Sequence, residues 1–108
     1  MKEIKRERTG EIIHRLAAKF VQEISTTASL ITVTRVELSA TGKEAKIFFT
    51  TLPENQEETA EKFLTRKIQE FKTYLRDNSR LGLIPHSSFK IDYGERNRQR
   101  LDELSTES

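Results

Sequence analysis

The sequence predicts an α+β domain in the order helix, strand, strand, helix, helix, strand, with a three-stranded mixed sheet and its helices on one face. Three observations carry that prediction. Residues 30–52, LITVTRVELSATGKEAKIFFTTL, form the only long stretch rich in β-branched and aromatic residues and contain a glycine-bearing turn. The flanking stretches repeat apolar residues at helical spacing. A short alternating run around Phe89 and Ile91 follows Gly82 and Pro85, where helix cannot continue.

Within the central stretch, Ala45, Ile47 and Phe49 alternate with Lys46, Phe48 and Thr50, the pattern of a half-buried strand. Ile31 and Val33 begin the first strand in one phase, whereas Val36 and Leu38 continue in the other. One inserted residue reverses the phase of a strand, so a β-bulge is expected near Thr34 or Arg35. Ser39-Ala40-Thr41-Gly42 provides a four-residue connection with a glycine available for positive φ.

Ahead of the hairpin, Ile12, Ile13, Leu16, Ala17, Phe20, Val21 and Ile24 predict an amphipathic helix over residues 6–24, ended by Ser25-Thr26-Thr27. At 100° per residue, Arg8, Arg15 and Lys19 fall within about 40° of one another, away from the apolar stripe. After Pro53, Asn55-Gln56-Glu57-Glu58 has the form of a capping box. Ala60, Phe63, Leu64, Ile68, Phe71, Tyr74 and Leu75 then make one stripe reaching residue 78, with Lys62, Arg66, Arg76 and Arg80 opposite. Lys67 falls inside this stripe, so either its stem reaches out to water or the helix breaks there. Phe89 and Ile91 alternate with Lys90 and Asp92 as a third strand, which can lie parallel to an earlier one after the helical crossover. Residues 95–104 are expected as a short helix or a frayed tail.

Composition narrows the function. At 108 residues the chain supports one core, and with 34% hydrophobic against 33% charged residues that core must be thin. Without cysteine, disulfides and thiol chemistry are excluded. No apolar run approaches the roughly 18 residues of a membrane span, and MKEIKRER lacks the apolar core of a signal peptide; a cytoplasmic location is expected. Net charge is +2 and pI about 9.0, so the placement of the cations matters more than their sum. His14 and His86 stand apart from any metal-spaced partner, and no phosphate loop or nucleophile motif is present. Neither an enzyme nor a cofactor is expected.

The order of elements and three stretches resemble the ribosome-binding factor A family. The first is Arg8-Thr9-Gly10-Glu11-Ile12-Ile13, opening the first helix. The second is the hairpin, residues 31–39 followed by Ala45-Lys46-Ile47-Phe48-Phe49. The third is Arg80-Leu81-Gly82-Leu83-Ile84-Pro85 leading to Phe89 and Asp92. The resemblance implies a type II KH-like fold over residues 1–94, with residues 95–108 as a C-terminal tail. It also implies a monomeric binding factor for small-subunit rRNA and the free small ribosomal subunit, acting in late maturation and precursor processing, including in the cold, with no small-molecule substrate. Ordinary KH domains clamp RNA with a GXXG loop, which this chain lacks. The family marks the corresponding bend with alanine-x-glycine, and the matching positions here are Lys67-Ile68-Gln69.

Under that resemblance, Arg8, Arg15, Lys19, Lys62, Arg66, Lys72, Arg76 and Arg80 are the candidates for phosphate contact, with Lys67 exposed at the bend. Read from the residues alone, these charges are an ordinary solvated surface. Phe63 and Phe71 lie on the helical stripe and are expected in the core; Phe48 is either exposed or covered by a helix. The competing function is a small protein-interaction domain, since such scaffolds host unrelated functions.

Overall fold

A computed structural model of the chain describes residues 3–25 and 30–106. Helix α1, Glu3–Ile24, begins three residues earlier than its apolar spacing indicates and buries Ile13, Leu16, Ala17, Phe20 and Val21. Its expected end at Ser25-Thr26-Thr27 is described only as far as Ser25, whose hydroxyl donates to the Val21 carbonyl; the rest lies outside the described residues.

Strands β1, Leu30–Leu38, and β2, Glu44–Leu52, form the expected antiparallel hairpin. Val33 pairs with Phe49 and Arg35 with Phe48, leaving Thr34 as the inserted residue. This bulge turns Ile31, Val33, Val36 and Leu38 all to the inner face despite their change of phase. Between the strands, the Gly42 amide donates to the Ser39 carbonyl and the Ser39 amide to Glu44, both at 2.9 Å. Gly42 has φ 73°, where a side chain would crowd the backbone.

Beyond Pro53 the chain makes a 3-10 turn, Glu54–Gln56, and then helix α2, Glu57–Arg66. The expected capping box does not form, because Gln56 occupies the cap position and no side chain caps either start. Thr51 instead holds the turn, its hydroxyl donating to the Pro53 carbonyl at 2.8 Å. The single stripe does break at Lys67, with φ −95° and ψ 6°, and helix α3 runs over Ile68–Asn78.

Strand β3, His86–Ile91, starts three residues before Phe89 and pairs parallel with β2, giving the sheet order β1-β2-β3. This is the type II KH-like arrangement expected. Phe71, wholly buried, is the centre of the core: its ring lies 5.2 Å from Phe20 of α1 and 5.4 Å from Phe89 of β3. Burying one such side chain contributes about 1.5–3 kcal/mol. Helices α1 to α3 cover the inner face, while Arg35, Glu37, Lys46 and Lys90 are exposed on the other. A fourth helix, α4, spans Tyr93–Thr106 and takes in the segment expected as short helix or tail.

Candidate nucleic-acid interface

Arg8, Arg15 and Lys19 are exposed on α1, and Lys62 and Arg66 on α2, each opposite its helix's buried stripe. Arg80, also exposed, follows the end of α3. None of these six is held in an ion pair among the described residues. Arg76 is exposed, with Asp77 at 3.9 Å, a distance at which a surface pair contributes little. Lys72 is half-buried.

Lys67 departs from expectation. It is half-buried, its ammonium 3.4 Å from Glu70 and 5.8 Å from the centre of the Phe63 ring. Breaking the helix turns Lys67 out of the apolar stripe, but only as far as these two neighbours.

The helices do not merge all the cations into one surface. Phe71 and Tyr74 are the α3 residues packed on Phe20 of α1, with ring centres 5.2 and 5.5 Å from it. Lys72 and Arg76 each lie about 160° around α3 from Tyr74 at 100° per residue. They therefore project from the flank of α3 facing away from α1 and its ridge.

A second polar cluster lies on the side of the sheet opposite α1 to α3, at the start of α4, and was not singled out from the sequence. Because the bulge places Arg35 opposite Phe48, the guanidinium sits 3.7 Å from the centre of that ring. Phe48 is thus half-buried under an arginine, and neither bare nor covered by a helix. Asp92, 3% exposed, accepts from the Thr34 hydroxyl at 2.5 Å and from Arg35 Nε at 3.2 Å through Oδ2. Its Oδ1 accepts from the Glu95 amide at 3.0 Å, which makes Asp92 the N-cap of α4. Burial works against the charge, but the Thr34 hydroxyl, the Glu95 amide and Arg35 together hold the carboxyl below its usual range.

Arg96, one turn into α4, reaches Glu57 at 3.1 Å and Glu54 at 3.7 Å and lies 4.6 Å from the Tyr93 ring centre. Glu57 is 4% exposed, so this contact neutralises a buried carboxylate at the start of α2. A cleft of about 600 Å³ opens between α1 and β1, with Glu7, Glu11 and His14 on one wall and Arg35 to Leu38 on the other. Its charges are mixed, and no group of three acidic, histidine or cysteine residues among the described residues could hold a metal.

No curated protein matches the chain. Among solved structures, the crystal structure of ribosome-binding factor A from Thermus thermophilus is similar in fold, with a TM-score of 0.71 and 23% identity over 80% of this chain and 93% of that one. The solution structure of a Thermotoga maritima protein ascribed to ribosome binding factor A has a TM-score of 0.67 and 28% identity, covering 82% of this chain and 87% of that chain. A homology model of the Thermus thermophilus factor, fitted into a cryo-EM map of its complex with the 30S subunit, gives 0.65 and 25% over 73% of this chain and 86% of that one. A sequence model of ribosome-binding factor A matches residues 5–105, spanning every element from α1 to nearly the end of α4. With that match running over nearly the whole described chain, and with a fold similar to those solved structures, the chain belongs to the ribosome-binding factor A family.

Proposed function

We propose that this chain binds the free small ribosomal subunit and assists late maturation and precursor processing of 16S rRNA, including in the cold, without catalysing a reaction. The observation that carries the proposal is its family membership, together with the likeness to the Thermus factor fitted into a map of the 30S complex. Residues 1–94 form the RNA-binding domain in this reading, and the chain works as a cytoplasmic monomer. Arg8, Arg15, Lys19, Lys62, Arg66, Lys72, Arg76 and Arg80 contact rRNA phosphates. Lys67, at the break between α2 and α3, belongs to the same phosphate-contacting set, its 3.4 Å surface pair with Glu70 costing little to give up.

Exposed cations that lack protein partners support this assignment, because they lose no ion pair on meeting a phosphate. Such contacts give affinity and orientation but read no bases, so specificity comes from the shape of the assembling subunit. Binding to purified small subunits, titrated against salt, tests the proposal. Reversing Arg76 and Arg80 together to glutamate should weaken binding at low salt and reduce the salt slope by about 2, one per lost phosphate contact, with the fold unchanged by circular dichroism. An unchanged affinity and slope removes both residues from the footprint.

A further inference from the structure

We infer that the face of the sheet opposite α1 to α3 is a second RNA contact, where an unpaired base stacks on the Arg35 guanidinium and the adjoining phosphates meet Lys46 and Lys90. This rests on the RNA-binding reading above but concerns the opposite face of the sheet from the helix cations.

Arg35 lies over Phe48, its Cζ 3.7 Å from the ring centre, with Nε held by Asp92 and another nitrogen by Glu37. Three neighbours therefore fix the plane of the guanidinium before any ligand arrives. One side of that plane rests on the ring, while the side chain as a whole remains 47% exposed. Aromatic rings and arginine planes are the surfaces on which unpaired bases stack, and a plane already fixed loses little entropy on binding.

The surrounding charge favours a polyanion. Lys90 is the register partner of Phe48 on β3, and Lys46 lies two residues before Phe48 on β2; both are exposed and without an ion pair among the described residues. Neighbouring strands are about 4.8 Å apart and successive same-face residues about 7 Å, so both ammonium groups reach the backbone of a nucleotide stacked between them. Of the carboxylates beside the stack, Asp92 is buried and spent on Arg35, Thr34 and the cap. Water sees Arg35, Lys46 and Lys90 against Glu37, with Glu44 exposed two residues before Lys46, farther from the stack.

The test is an NMR titration of the full chain with eight-nucleotide single-stranded oligoadenylate and oligouridylate at low salt, beside small-subunit binding. Shifts at the Arg35 side-chain N–H and at the Phe48 and Lys90 amides are expected, with the adenylate bound more tightly because purines stack better. Arg35→Lys keeps the charge but loses the plane, and should weaken oligoadenylate about 5-fold or more and abolish the purine preference. Lys90→Gln, which leaves the Asp92 contacts intact, should weaken both oligonucleotides equally and guards against misreading a folding defect in the first variant. Shifts confined to the helices overturn the inference, as does an affinity indifferent to both substitutions. Failure of both oligonucleotides to bind also overturns it; retained subunit binding then leaves the ribosomal reading standing.

Discussion

Replacing Asp92 with alanine removes three interactions at once. The cap on the Glu95 amide contributes about 1 kcal/mol. The Thr34 hydroxyl, part-buried against Oδ2, loses its acceptor at a cost of about 1 kcal/mol or somewhat more. The Arg35 contact adds little beyond this, since water replaces the partner of a half-exposed guanidinium. The expected loss is about 2–3 kcal/mol, or about 10–20 °C in Tm for a domain of this size. Urea unfolding followed by far-UV circular dichroism reads it directly. Asp92→Asn keeps an acceptor for the cap and should restore about half. If the alanine variant unfolds within about 0.5 kcal/mol of the unmodified chain, comparable to an ordinary surface substitution, Asp92 does not join α4 to the bulge as described.

The same carboxyl sets a pH dependence. Its folded pKa lies below the unfolded value of 3.8, so the unfolded chain binds more protons and stability rises with pH across that interval. The contribution is complete above the unfolded value and is lost as pH falls through the folded one; urea midpoints below pH 5 should therefore drop less steeply in Asp92→Asn. Arg96→Ala strips the Glu57 carboxylate of a partner at 3.1 Å and should cost about 2 kcal/mol or more, with Glu57→Gln in the same chain recovering part of it in thermal melts. Gly42→Ala forces a side chain into φ 73° and should cost about 1–2 kcal/mol in urea titration, whereas Ala40→Gly in the same turn should cost less.

Much of this architecture is legible in the sequence because it is local. A phase change between Val33 and Val36 demands an inserted residue, and the bulge is there. Lys67 interrupts an apolar stripe, and the helix breaks there even without the alanine and glycine that mark the family's bend. The failures have identifiable causes. Asn55-x-x-Glu58 and Asp92-x-x-Glu95 carry the same capping signal, yet only the second caps a helix. At the first, a 3-10 turn tied to Thr51 precedes the helix; at the second, the strand's last bond, from the Asp92 amide to the Phe49 carbonyl, fixes the backbone and frees the carboxylate. The cover over Phe48 follows from the bulge, since the shifted register sets Arg35 opposite that ring. The exposure of most of the helix cations follows from periodicity, but their division between two flanks depends on how α3 rests on α1, which Phe71 and Tyr74 against Phe20 decide in three dimensions.

Sedimentation of the tagged, full-length chain in a cell lysate through a sucrose gradient tests the central claim most directly. The account predicts sharp co-migration with free small subunits, released by raised salt and absent from joined ribosomes. A protein that stays at the top of the gradient even at low salt contradicts it and favours an interaction domain that works without RNA.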